Sequence, residues 1–264
     1  MQYTQGTLTT VDGVKIAYEH RRRGFGSLVV ICPGFFNSKG NRWMQRTQEL
    51  ISARHDTFLF DFRGHGDSGG TFTWLAKEPY DVAAVLDYVK EQGYRSIGIL
   101  GYSLGAAAAV NTVSRASGVS RMMLISCPYS FWKIDYHFWK PEMLSDLKDN
   151  IDVKWEGKGV RPGSMFFRKR KPIREVRRIK HIPLFFIHGT RDWVIKHTHS
   201  QKLYASASGE KRIKLIEGGL HAERLVAQDE AKMSTLFVEW FAPLDAEKNQ
   251  VQPRRLNSRQ GEGV

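Results

Sequence analysis

Residues 96–113 constrain this chain more than any other stretch. Ser-Ile-Gly-Ile-Leu (96–100) is a short apolar run, Gly-Tyr-Ser-Leu-Gly (101–105) follows at once, and the segment up to Val113 is rich in alanine. The apolar run reads as a buried strand and the alanine-rich segment as a buried helix. The chain must therefore turn from strand to helix at Ser103, and the small flanking residues permit a sharp turn. That leaves the serine hydroxyl at the apex. It also puts the backbone N–H of Leu104 at a helix N-terminus, where unpaired donors and the macrodipole favour negative charge. A serine in an ordinary turn fits the same pentapeptide, and only the flanking elements separate the two readings.

Three further stretches extend the pattern. Leu28–Cys32 is a second buried apolar run, closed by Cys-Pro-Gly-Phe-Phe. Pro33 has no N–H and Gly34 allows a tight turn, so the Phe35 amide is the candidate for a second donor beside Ser103. Pro-Leu-Phe-Phe-Ile-His-Gly (183–189) reads as a strand ending in a glycine turn. Asp192 then lies in the loop at the C-terminal edge of that strand, where open α/β sheets gather their sites. Finally, Arg-Ile-Lys-Leu-Ile-Glu (212–217) alternates as a strand does, and Gly-Gly-Leu-His places His221 in the loop after it.

Taken together these stretches resemble the α/β-hydrolase superfamily in its serine-hydrolase branch, which includes esterases, lipases and serine aminopeptidases. The resemblance runs from about Thr7 to Leu244. It implies an α/β-hydrolase fold, a mostly parallel sheet flanked by helices with a small cap insertion. It also implies a nucleophile elbow at Ser103 and a triad in the order Ser103, Asp192, His221, with Leu104 and Phe35 amides as the oxyanion hole. Many relatives begin the oxyanion loop with His-Gly, where this chain has Pro33-Gly34. Asp192 also reads as a turn aspartate capping a helix that starts near Lys196, and Asp135 is the reserve acid. Asp-Phe-Arg-Gly-His-Gly-Asp-Ser (61–68) resembles the segment after the fourth strand of the family. Asp61, Arg63, His65 and Asp67 are expected to fix that loop, with His65 a loop histidine. His188 is expected to be structural, and His197 and His199, on a predicted helix, are expected to be solvated.

The implied activity is cleavage of carboxylic esters, by a carboxylesterase or monoacyl-lipid lipase, with thioesterase or serine aminopeptidase activity as the alternative. A binding protein that has lost catalysis is the non-enzyme alternative, since folds outlive their chemistry. No cofactor and no metal are expected. With an unperturbed imidazole, acyl transfer should rise with pH through a pKa of roughly 6–7.

A chain of 264 residues, 41 % hydrophobic with mean hydropathy −0.41, suits one compact catalytic domain. Residues 1–128 and 181–246 are expected to form the core, 129–180 the cap, and 247–264 a polar disordered tail. Helices are expected over Asn41–Arg54, Pro79–Gln92 and Asp229–Phe241. Neither an export signal nor a long apolar span is visible, which predicts a cytoplasmic protein. Cys32 and Cys127 each end a separate strand, which predicts free buried thiols.

The cap sequence has two characters. Phe131, Trp132, Tyr136, Phe138, Trp139 and Trp155 offer aromatic surface either for an acyl or aromatic group or for fastening the cap to the body. Arg161, Arg168, Lys169, Arg170, Lys171, Arg174, Arg177, Arg178 and Lys180 face only Glu175. Ile173, Val176 and Ile179 predict a short helix after Pro172 that docks an apolar stripe. The charge is a solvated face or, given a formal net charge of +13 and a pI near 9.8, an attraction for anionic substrate or a membrane surface. Nucleic acid ranks last, because no binding motif accompanies the charge. The oligomeric state is not legible.

Overall fold

The structure, a computed structural model, describes residues 2–135 and 159–246. Eight strands form one sheet: β1 (Gln2–Thr9), β2 (Lys15–Arg22), β3 (Ser27–Cys32), β4 (Asp56–Phe60), β5 (Ser96–Tyr102), β6 (Arg121–Ile125), β7 (Leu184–Gly189) and β8 (Lys211–Ile216). Their spatial order is β1-β2-β4-β3-β5-β6-β7-β8. β1 and β2 pair antiparallel with their neighbours, and all later pairings are parallel. The inner strands β3, β4 and β5 are buried along their whole length, as near-continuous apolar runs require. At the edge, β8 alternates, with Arg212 and Lys214 outward.

Helices cover both faces. α1 (Arg42–Ser52) and the helix Glu230–Phe241 bury Met44, Ile51, Met233, Phe237 and Trp240 against one face. α2 (Glu78–Glu91) and α3 (Ser103–Val113) bury Val82, Val85, Leu86 and Ala106–Ala109 against the other. Every residue of α3 is buried, which explains its alanines: a smooth helix can lie close to the sheet. The helices expected over Asn41–Arg54, Pro79–Gln92 and Asp229–Phe241 are present, displaced by one or two residues at their ends.

Parallel pairing directs the C-terminal ends of β3, β5, β6 and β7 to one edge, where Gly34, Ser103, Ser126 and Thr190 follow them. The Asp61–Ser68 loop braces this edge. Arg63, 2 % exposed, donates from Nε to Asp81 Oδ1 at 2.8 Å, and its two amino groups donate to Asp12 at 2.8 and 2.9 Å. Asp61 accepts from the Asp67 amide at 2.9 Å and pairs with Lys39 at 3.0 Å. His65 Nδ1 donates to the Arg63 carbonyl, and burial pushes its pKa down to about 4. Asp61, Arg63, His65 and Asp67 thus hold the loop, as their pattern suggests.

Cys32 and Cys127 are free and buried, and β5 separates β3 from β6. Of the expected cap, 136–158 lie outside the described residues, and so do Tyr136, Phe138, Trp139 and Trp155 and the tail 247–264. What is described attaches firmly: Phe72 bridges Pro162, and the Arg161 guanidinium donates to the Gly66 and Ser68 carbonyls. The short helix Pro172–Glu175 runs into a 3-10 turn, Val176–Arg178, that buries Val176 and Ile179. Phe131 is buried while Trp132 is exposed.

Candidate active site

Ser103 opens α3 with φ +50, a left-handed conformation that costs a serine about 1–3 kcal/mol. The surrounding backbone imposes it. A Cβ on Gly101 would lie 2.5 Å from Ala106 Cα, and one on Gly105 would lie 2.1 Å from the Pro33 carbonyl oxygen. The elbow therefore needs glycine at both places for close approach. A Cβ on Gly34 would sit 3.4 Å from Ser103 Cβ, which sets the Gly34–Phe35 peptide beside the hydroxyl. Among the described residues no side chain caps α3, so its first-turn amides, Leu104 among them, keep their donor capacity at the serine.

His221 reaches Ser103 because two loops interpenetrate. Where β7 ends, a Cβ on Gly189 would stand 2.2 Å from the Gly219 carbonyl oxygen, so only glycine lets the Asp192 and His221 loops touch. The Ser126 hydroxyl accepts from the Ala222 amide at 3.0 Å and anchors the histidine loop from β6. His221 Nδ1 lies 2.7 Å from Asp192 Oδ2, and Nε2 lies 3.0 Å from Ser103 Oγ. A carboxylate only accepts, so Nδ1 carries the proton and Nε2 is free to accept from the serine.

The two oxygens of Asp192 divide the work. Oδ1 accepts from the Val194 and Ile195 amides at 3.0 and 2.8 Å and closes that turn, while Oδ2 faces His221; the helix expected near Lys196 starts at Thr198 without a side-chain cap, so Asp192 does not cap it. Burial acts to raise this carboxyl, but the His221 charge and hydrogen bonds from His188 and His221 outweigh it and hold it well below the usual carboxylate range. For His221, burial acts against the imidazolium, yet the Asp192 charge and hydrogen bond, with the Glu223 charge behind them, raise its pKa above the ordinary histidine value.

Of the residues expected from the sequence, Ser103, Asp192 and His221 come together, with Leu104 and Phe35 alongside. Asp135 does not join them: it faces Lys196 at 3.6 Å and His199 at 4.0 Å, and His199 is buried against the Tyr129 ring rather than solvated as expected. Sequence reasoning missed two neighbours. His188 Nε2 donates to the Ile195 carbonyl at 2.7 Å and stands 3.0 Å from Asp192 Oδ2, while its Nδ1 accepts from Ser200. It is structural, as expected, and it also buttresses Asp192. Glu223 is buried beside His221 and accepts from the Asn37 side chain, and burial pushes its carboxyl up. No motif marks either contact.

Comparison with known proteins agrees with this architecture. The family profile described as alpha/beta hydrolase fold matches residues 27–158, and that described as serine aminopeptidase, S33, matches 170–223. The uncharacterized protein YfhR of Escherichia coli K12 is 26 % identical over 178 residues, covering 66 % of this chain and 56 % of that protein. YqkD of Bacillus subtilis, also uncharacterized, is 24 % identical over 208 residues, covering 74 % and 64 % respectively. The matches thus span less than two thirds of either relative. Among solved structures, the Pyrococcus furiosus esterase Pf2001 superposes with a TM-score of 0.73 at 23 % identity, over 92 % of both chains. The esterase RhEst1 of Rhodococcus sp. ECU1013 does so with 0.71 at 18 % identity, over 91 % of this chain and 99 % of its own. At such identities the likeness speaks for the fold alone. With half the chain matched by the family profile and the sheet order and elbow to go with it, the protein belongs to the α/β-hydrolase superfamily.

Proposed function

We propose that the protein is a serine hydrolase that cleaves carboxylic esters through an acyl-enzyme. The observation that carries this reading is the unbroken hydrogen-bond chain from Ser103 Oγ through His221 to Asp192 Oδ2, at 3.0 and 2.7 Å. His221 Nε2 takes the Ser103 proton as Oγ bonds to the ester carbonyl carbon. The carbonyl oxygen becomes an oxyanion, held by the Leu104 and Phe35 amides. As the tetrahedral species collapses, the C–O bond to the alcohol breaks and the imidazolium protonates the leaving alkoxide. Water then repeats the sequence, with His221 again as base, and frees the acid and Ser103. Asp192 keeps the proton on Nδ1 and stabilises the cation that forms at each step.

Esterases are among the proteins that share this fold, and the aminopeptidase profile over residues 170–223 supports a second reading, hydrolysis of aminoacyl amides by the same residues. A panel of acyl esters, acyl thioesters and aminoacyl amides, each compared by kcat/KM, separates the two. The proposal expects esters to lead. Amides turned over faster than matched esters would establish the aminopeptidase reading, and no turnover with any member would leave a fold without this chemistry.

A further inference from the structure

The turn that follows Arg161 exposes an unusual set of side chains. Met165, Phe166 and Phe167 are 37, 86 and 46 % exposed, and Trp132, from the segment after β6, is 55 % exposed. Arg168, Lys169, Arg170 and Lys171 follow directly in the chain. These groups form one patch. Lys169 Nζ donates to the Phe167 carbonyl at 3.0 Å and lies 4.9 Å from the Trp132 ring, while Lys77 Nζ lies 5.5 Å from the Phe167 ring. Behind the turn a cleft of about 800 Å³ is lined by Arg170, Lys171 and Arg174 and by Arg115, which pairs with the cleft's Glu175 at 3.4 Å. Among the described residues, no acid pairs with Arg168, Arg170, Lys171 or Arg174.

We infer that this patch docks the protein on an anionic bilayer, with the Met165–Phe167 tip inserted among the lipids and the basic residues on the headgroups. A solvated face accounts for the cations and leaves the aromatics unexplained. Single exposed apolar residues are ordinary, but a contiguous group rimmed by charge marks a contact surface. A second copy of the chain is disfavoured because the formal net charge is +13 and the patch itself is basic. Single-stranded nucleic acid calls for aromatic platforms along a groove, whereas Phe166 projects from the tip of a turn. A projecting tip of Met and Phe beside Trp and basic side chains suits the membrane interface, where aromatics settle at headgroup depth and cations are drawn to anionic lipid. A relay of ring contacts links the patch to the site, Trp132 to Phe131 at 5.1 Å, Phe131 to Trp74 at 6.0 Å and Trp74 to Phe35 at 5.4 Å, ring centre to ring centre. Docking stands apart from the hydrolase reading and does not require it.

The test is co-sedimentation of the full chain with vesicles of phosphatidylcholine alone and of phosphatidylcholine with phosphatidylglycerol, at low and high salt. Binding is expected to the anionic vesicles, weaker in high salt. Phe166→Ser should weaken it about tenfold, and Arg168→Glu with Arg170→Glu by about 25-fold or more, since each basic residue near an anionic leaflet contributes about fivefold. These exposed positions should leave thermal stability and hydrolysis of a soluble short-chain ester unchanged. Ser103→Ala should bind as the parent does, which separates docking from catalysis. The inference is overturned by no binding to anionic vesicles, by equal binding of Phe166→Ser, or by an oligonucleotide that binds while vesicles do not.

Discussion

Alanine in place of Gly105 should disable the site without touching a polar side chain. Its Cβ would lie 2.1 Å from the Pro33 carbonyl oxygen and 2.5 Å from that of Cys32, where ordinary contact begins at 3.4 Å. Both obstacles are backbone, one at the end of β3 and one in the loop proposed to hold the oxyanion, so no rotamer change relieves them. The loop must retreat by roughly 1 Å or the elbow must open. A displacement of that size moves the Phe35 amide off the oxyanion, and misplacement by about 1 Å or loss of one oxyanion donor each costs on the order of 10²- to 10³-fold in rate. The same overpacking should cost about 1–3 kcal/mol of stability. The assay is kcat on a soluble short-chain ester, with urea denaturation alongside so that the loss is read on folded protein. Gly159→Ala, where nothing among the described residues lies within 4 Å of the added carbon and φ is outside the left-handed region, is the control and should be silent. A Gly105→Ala protein with parental kcat would refute both the packing of α3 against the Pro33 loop and the role assigned to that loop.

Asp192→Asn should lower kcat/KM by on the order of a thousandfold or more by favouring the wrong imidazole tautomer. Asp135→Asn should be near parental, and a reversal of the two would move the acid to the end of β6. The rate should rise with pH as His221 loses its proton, because only the neutral imidazole accepts from Ser103. Its raised pKa puts the midpoint above the ordinary value of about 6.5. A pH–kcat/KM profile with its midpoint below that value would contradict the Asp192–His221 coupling. Asp81→Ala leaves the buried Arg63 with Asp12 alone, and urea denaturation should register a loss of about 3–5 kcal/mol. A change under about 0.5 kcal/mol would mean that Arg63 is not held as described.

How far the sequence reaches depends on whether a contact is encoded locally. Ser103, Asp192 and His221 were legible because each follows a recognisable strand and parallel pairing brings those strand ends to one edge. Ser103 and its glycines stand together in one pentapeptide, so the elbow could be read without tertiary information. The contact between Gly189 and Gly219 joins residues 30 positions apart, and only the fold shows that neither can carry a side chain. His188 was visible as the end of a buried strand, but its direction toward Asp192 depends on the turn at Ile195. Glu223 and Asn37 meet across separate loops with no spacing to announce them. The left-handed φ of Ser126 and Ala222, +52 and +50, is equally silent in the sequence, since both are residue types that rarely adopt it. Arg161 illustrates the reverse case. It counted among nine basic residues of one run, yet its guanidinium serves the Asp61–Ser68 loop and leaves the exposed charge to its neighbours.

The central claim is that Ser103 is the covalent nucleophile, activated by His221. A fluorophosphonate probe, followed by peptide mapping of the intact protein, tests it most directly. The account predicts a single adduct on Ser103, lost in Ser103→Ala and strongly slowed in His221→Ala, with both variants folded as the parent is. An adduct on another residue, or labelling that persists in Ser103→Ala, would contradict it.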